Sequence, residues 1–493
     1  MRRIFVASLA FLLPVAAHAQ GTTSRLVGTV VDAQGAGVAG AAVTLTNEKT
    51  GVSFSASTSQ AGTYVFEAVQ IGSYSLSVEL SGFKRFVATA NQVTIGAPTT
   101  LNVRLDVGGL AETVEVAGSA SPVQLSTSGN VGTTLREREI QDLPIVGGRG
   151  RNPLDLVTFQ PGVVLGANTG GGVHVHGSRD RSWNFTLDGI DTNESSAGGS
   201  NFSPLRSNPD SLAEFGVITA NATAEFGRNS GGQVTMITRS GANELHGSAF
   251  YFYRTPALNA NEWENNINGI KEPQFLQHIP GFSIGGPIRK NKTFFFANFQ
   301  MLRLHRSFNV TSTVYTESAR QGIWRYAIGG RNQPAGVPGA SVDTSGNPLP
   351  GVAIGSYNIA ANDPARIGID PSIRGQIALT PLPNNFTVGD GLNTAGYTFV
   401  APETEEQMDA VIKIDHVLNA KNHVFARVAW GSQDTICDNV NGGLQRFPGG
   451  PCVVNTYRSP FNVALNWRFN PRASVVNELV LGLNHFAFDF QIP

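Results

Sequence analysis

The sequence predicts a mainly β protein that is exported and whose later half is built of membrane-crossing strands. Three observations carry this. The stretch FNVALNWRF, Phe461 to Phe469, is apolar at every odd position, with Asn462, Ala464, Asn466 and Arg468 between. Successive side chains of a strand point to opposite faces, so this ribbon is greasy on one side and wet on the other. From residue 246 onward such segments are joined by connections that alternate long and short, as outer-membrane barrels alternate external loops and periplasmic turns. Finally, Arg2 and Arg3 precede the apolar run IFVASLAFLLPVAA and the small-x-small motif Ala17-His18-Ala19, which reads as a signal peptide over residues 1–19. No later run approaches the roughly 18 apolar residues of a spanning helix. Crossing therefore falls to a closed barrel.

The composition agrees. Charged residues are 14% of the chain, against roughly 25% in average soluble proteins. The net charge of −1 gives no case for a nucleic-acid partner or a polybasic anchor. Cys437 and Cys452 are the two cysteines. Export permits a disulfide between them, worth roughly 3 kcal/mol for a loop of that size; two free thiols are the alternative.

Residues 24–107 run in short alternating segments (LVGTVVD, AAVTLTN, GTYVFEAV, YSLSVELSGF, TTLNVRL) broken by glycines, the pattern of a small β-sandwich. The elements Gly28 to Gly35, Gly40 to Leu45, Gly62 to Tyr74 and Gly82-Phe83 resemble the carboxypeptidase regulatory-like domain. The resemblance implies a seven-stranded prealbumin-like accessory module. Some such modules are associated with carbohydrate; no aromatic platform marks this one, and a structural spacer is the other reading. Residues 108–124 read as a linker. Within it Glu112, Thr113, Val114, Glu115 and Val116 form an extended segment that can add to the edge of a partner's sheet. The same five residues also read as the last strand of the sandwich.

Over 125–243 a short helix (REREIQDLPI) precedes Gly-rich α/β phrases, including LPIVGGRGRNPLDLVTFQPGV, NFTLDGIDTN and AEFGRNSGGQVTMITRSGANELHGSAF. With GFSIGGPIRKNKTFFFANFQ and PLPNN further on, these resemble, in order, the TonB-dependent outer-membrane receptors of the Oar-like group. The resemblance implies an α/β plug inside a 22-stranded barrel in the outer membrane of a Gram-negative bacterium, with the sandwich in the periplasm. It also implies a TonB box, for which the 112–116 segment is the candidate, and as partners TonB with its inner-membrane energising proteins. A scarce small ligand, which includes carbohydrate, would be imported.

Residues 244–493 read as barrel, with a long external loop over 303–408. In HVFARVAW, Val424, Ala426, Val428 and Trp430 oppose His423 and Arg427; in DAVIKID, Ala410, Ile412 and Ile414 oppose Lys413 and Asp415. About seven strands can be counted. Seven cannot close around a plug, so the chain reads as the N-terminal part of a longer protein. Arg149, Arg151, Arg179, Arg181 and Arg228 are expected partners for barrel carboxylates at the plug–wall interface, where Asp188 and Asp191 also fall. His174 and His176 share a strand face but lack a third ligand nearby, so no metal or other cofactor is assigned. No Walker loop, HExxH or nucleophile with a base is present, so no catalytic residue is assigned and the chain is read as no enzyme. Two rivals to import stand: a non-transporting surface protein serving adhesion or protein export, and a soluble carbohydrate-binding fragment.

Overall fold

The computed structural model describes residues 22–493, apart from 96–97, 110–112, 118–128, 144, 146–150, 166–172, 180–181, 194–204, 206, 225, 228, 262, 264–265, 267–271, 273, 360, 366 and 473–474. The first unit is a two-sheet sandwich. One sheet contains β1 (Thr23–Val31), β4 (Thr63–Gln70) and the short β7 (Thr99–Thr100) and β8 (Val103–Arg104). The other has the order β3 (Ser53–Ser57), β2 (Ala42–Asn47), β5 (Gly72–Glu79), β6 (Arg85–Val93), β9 (Thr113–Ala117). Alternation makes the core: Leu26 and Val30 of β1 meet Val43 and Leu45 of β2 and Leu76 and Val78 of β5. The sandwich thus runs past residue 107 to Ala117. Thr113 to Val116 do not lie in a free linker; they pair in parallel with Arg85 to Ala88, because a β-prone segment beside an open sheet edge satisfies its backbone there. Glu112 lies outside the described residues.

The plug is a mixed sheet in the order β10 (Val131–Arg136), β15 (Leu212–Ala220), β16 (Gln233–Thr238), β13 (Asn184–Leu187), β14 (Ile190–Asp191). A separate pair is formed by β11 (Val163–Leu165) and β12 (Val173–Val175). The expected helix spans Glu137–Asp142 and buries Ile140. Strands β13 and β16 are buried at every position, as a sheet covered on both faces requires. Trp183 stacks on Phe185 and donates its indole N–H to Val173 O at 2.9 Å. This core also takes in Val411 and Ala429 from the wall, so plug and wall pack as one body.

The wall is an antiparallel meander of β17 (His246–Arg254), β18 (Phe275–Arg289), β19 (Thr293–Tyr315), β23 (Thr394–Asn419), β24 (Asn422–Ile436), β25 (Asn455–Arg472) and β26 (Val475–Gln491). Short turns at 290–292 and 420–421 lie at one end and long connections at the other. β19 and β23 are 23 and 26 residues long, well beyond the roughly 9–11 that cross a bilayer. Their ladder continues from Thr293↔His416 to Tyr315↔Thr394, so the long loop is 316–393 rather than 303–408. Cross-strand backbone bonding outlasts the lipid-facing pattern there. The loop carries its own hairpin, β20 (Ile323–Ala327) with β21 (Ile354–Asn358), and β22 (Asn385–Gly389), which pairs with β23.

Facing follows the alternation. β24 buries His423, Phe425, Arg427 and Ala429 and turns Val424, Ala426, Val428 and Trp430 outward. β25 buries Asn462, Asn466 and Arg468, while Phe461, Leu465 and Trp467 are exposed. β17, apolar on both faces, sets Phe250 and Phe252 against the plug, where the Arg151 guanidinium lies over both rings. The outward face of FNVALNWRF is therefore the lipid face. Leu465 stands opposite Leu481 in the middle of that face, 49% and 56% exposed. Leu465→Arg is expected to cost about 2–4 kcal/mol of folding free energy in bilayers, read as a lowered urea midpoint in lipid vesicles. A midpoint unchanged in lipid would place this face against protein or water.

Candidate functional site between plug and wall

The site is built on a two-residue hairpin. Asp188 and Gly189 connect β13 to β14, and both have positive φ, +49° and +78°. Asp-Gly is the preferred pair for such a turn. The turn carries the Asp188 side chain to the wall, where it is fully buried. Its Oδ1 accepts from the Thr238 N–H (2.9 Å) and its Oδ2 from the Thr238 hydroxyl (2.7 Å), which ties it to β16. Across the interface Arg427 Nε donates to Oδ2 at 2.9 Å, and Lys413 Nζ lies 3.9 Å from Oδ1. Lys413 also donates to Thr238 O at 3.3 Å.

Lys413 and Arg427 are direct cross-strand partners on β23 and β24. Like charges so placed repel. The plug carboxylate stands between them and removes the conflict. Arg427 completes its bonding with Leu187 O (2.9 Å) and with the backbone and side-chain oxygens of Asn462. Burial pushes the Asp188 carboxyl upward, but Lys413, Arg427 and the Thr238 donors outweigh it and hold the group below the usual carboxylate range. One turn residue on, Ile190 presses on β26 at Gly482, where an added Cβ would clash with its side chain.

The sandwich is seated at the short-turn end of the wall. The Thr22 hydroxyl donates to Glu478 (2.8 Å), Arg468 donates to Ala68 O (2.6 Å), and Phe54 packs on His423 with ring centroids 5.5 Å apart. It also docks on the plug. The Ile95 N–H donates to Glu214 on β15 at 2.8 Å, and Ile95 O accepts from Thr134 on β10. Burial pushes the Glu214 carboxyl up to about 8, against the opposing effects of the Ile95 N–H and Arg136.

At Asp188, itself among the expected plug contacts, the charges run opposite to the pairing expected of the plug arginines. The plug supplies the carboxylate and the wall the cations. Arg151 pairs with Asp210 inside the plug rather than with a barrel carboxylate, because both belong to segments packed together at the plug edge. Arg179 follows the turn after β12 and is exposed; Arg149, Arg181 and Arg228 lie outside the described residues. Asp191 accepts from the Asn193 N–H (2.7 Å) as a local loop brace. His174 bonds Ser178 O, whereas His176 follows the strand at φ +45°, so the two imidazoles do not share a strand face. Among the described residues no group of three or more His, Cys, Asp or Glu side chains is placed to hold a metal. Cys437 and Cys452 are disulfide-bonded. The polar lumen face that carries Lys413 and Arg427 was legible as alternation; their joint partner was not, and Glu214 and Ile95 gave no sequence signal.

Residues 237–493 match the model of the outer membrane beta barrel domain, which is more than half of the chain. The chain belongs to that family. It is an outer-membrane protein of the Gram-negative type, with a carboxypeptidase regulatory-like domain matched over residues 25–106. It is 31% identical over 304 residues to the TonB-dependent transporter Oar of Myxococcus xanthus, a match that covers 60% of this chain and 28% of that protein. The chain thus spans little more than a quarter of that relative. Among solved structures, the ferric enterobactin receptor PfeA of Pseudomonas aeruginosa is 12% identical with a TM-score of 0.37, covering 74% of this chain and 46% of that one. The siderophore receptor PirA of Acinetobacter baumannii is 14% identical with a TM-score of 0.32, covering 73% and 48%. Overall similarity that low carries no argument. None of these matches speaks for carbohydrate binding by the sandwich.

Two outcomes follow from this barrel's interface. Asp188→Asn leaves two buried cations facing each other and is expected to destabilise plug docking by about 3–5 kcal/mol, read as earlier exposure of plug sites in urea-dependent proteolysis. Asp188→Asn with Arg427→Met is expected to recover part of that loss. Glu214 gives a pH dependence. Its folded pKa of about 8 lies above its ordinary value of 4.5, so its contribution is fully present below pH 4.5 and is lost as pH rises toward 8. The slope is at most about 1.4 kcal/mol per pH unit. Denaturant titrations across that window should show sandwich–plug stability falling with pH, and Glu214→Gln should flatten the curve.

Proposed function

We propose that the protein is a TonB-dependent outer-membrane transporter whose plug is latched to the wall through Asp188. The observation that carries this reading is the fully buried carboxylate bridging Lys413 and Arg427. The plug shares apolar packing with the wall at Val411 and Ala429, and the polar contacts beside that packing are discrete bonds that pulling can break. The resemblance to a TonB-dependent transporter supports the same reading. External loops bind a scarce ligand, and an energised periplasmic partner pulls on the plug through the chain ahead of it.

The handle is the strand β9. It is the last strand of its sheet, bonded on one side to β6. A partner strand can add along the other side, and the bonds of a strand pair share a pulling load in parallel. Because β9 is also a sandwich strand, the pull reaches the plug once β9 leaves β6. A photo-cross-linker placed at Glu115 in cells is expected to give an adduct with TonB, and Val114→Pro is expected to remove both the adduct and uptake while ligand binding stays. No adduct at any position from 113 to 117 would overturn the assignment of the handle.

A further inference from the structure

The long external connection between β19 and β23 is folded, and it forms a cavity of about 460 Å³ that is open to solvent on one side, within the roughly 300–1,000 Å³ range of small-molecule sites. Tyr315 at the end of β19 and the cross-strand pair Trp324 and Tyr357 on the β20–β21 hairpin line it. These three rings are 40%, 39% and 54% exposed, unusual for large aromatics with no covering element. Ile359, Ile369 and Ile377 add aliphatic surface to the lining.

The charged groups at this cavity are already engaged. Arg320 donates from Nε to Tyr315 O (3.1 Å), from Nη1 to Thr380 O (2.8 Å) and from Nη2 to the Thr380 hydroxyl and Pro381 O. It braces the Pro-rich turn that follows. Asp363 accepts the N–H groups of Ala365 (2.9 Å), Ile367 (2.7 Å) and Gly368 (3.0 Å), which fold the adjoining loop. Arg320 and Asp363 are the charged side chains of the lining and are opposite in sign, so the cavity offers no net counter-charge to an ionic ligand, whose burial would be unfavourable. Flat aromatic faces remain, with an indole N–H and phenol hydroxyls at their edges. An aromatic face carries negative potential and attracts C–H groups, while the polar tips exchange hydrogen bonds with hydroxyls.

We propose that this cavity binds a neutral saccharide unit, its C–H face on the Trp324 and Tyr357 rings and its hydroxyls on their polar edges. This deepens the transport reading by naming a ligand class at its external face, and it rests on that reading only for the placement of the loop outside the cell. The experiment uses the whole protein purified in detergent. Neutral fragments of α-glucan, β-glucan, xylan and mannan, with anionic polygalacturonate fragments beside them, are screened on an array and the hits titrated by calorimetry. At least one neutral fragment is expected to bind, with Trp324→Ala and Tyr357→Ala each weakening it tenfold or more. Trp324→Phe, which keeps a ring and the hairpin, is expected to retain most of the affinity. Binding of no neutral fragment, binding of the anionic fragments alone, or affinity unchanged by Trp324→Ala would overturn the proposal. No energy source is involved, so a protein that binds sugar yet shows neither a TonB cross-link nor energy-dependent uptake sinks the transport reading alone. A cross-linked protein that binds none sinks only the sugar site.

Discussion

A single carboxylate with no access to water fixes how the two main units of this protein, which also share apolar packing, are seated on one another. Lys413 and Arg427 face each other across neighbouring wall strands, and in a low-dielectric lumen neither could be tolerated without an opposite charge. Asp188 supplies it from the plug, 239 residues earlier than Arg427 in the chain. A buried ion pair is weak evidence for net stability, since desolvation offsets much of the attraction. Its physical worth is directional: only one seating of the plug brings the carboxylate between both cations and Thr238. An apolar contact of the same area would tolerate many seatings and would give no discrete bond for a pull to break.

The wall itself answers to a different constraint. Strands in lipid must pair their backbones with one another and turn apolar side chains outward. Period-two alternation then leaves every second residue on the lumen side, which is why Lys413, Arg427, Asn462 and Arg468 are buried against plug and sandwich rather than scattered over a surface. The same residues that make the outside compatible with lipid leave an inside that needs polar partners. The plug and the sandwich provide them, through Asp188 at one level and through Thr22, Ala68 O and Phe54 at the short-turn mouth.

The sandwich is therefore more than a spacer in this arrangement. It touches the wall at its mouth, grips the plug through Ile95 and Glu214, and holds β9 in its own sheet. Tension applied at β9 meets the sandwich before it meets the plug. Coupling of this kind needs no long pathway of side chains; the units are in contact, and each contact is a small set of hydrogen bonds with definite partners.

The sequence alone determined the facing of the wall strands and the alternation of short turns with long connections, and the Asp188-Gly189 pair carries a local turn preference that the structure realises as a hairpin. Each of these depends on residues within a few positions of one another. Alternation in HVFARVAW and FNVALNWRF assigns a lipid side whatever the rest of the chain does, and Asp-Gly specifies its turn by local backbone preference. Tertiary structure decided which charges meet, which sheet takes Thr113 to Ala117, and how far β19 and β23 pair beyond the membrane. The plug arginines read as the cationic side of the interface because sequence shows that a polar group needs a partner without showing which one. That choice is made by residues hundreds of positions apart brought within 3 Å, and nothing in the local pattern of either strand encodes it.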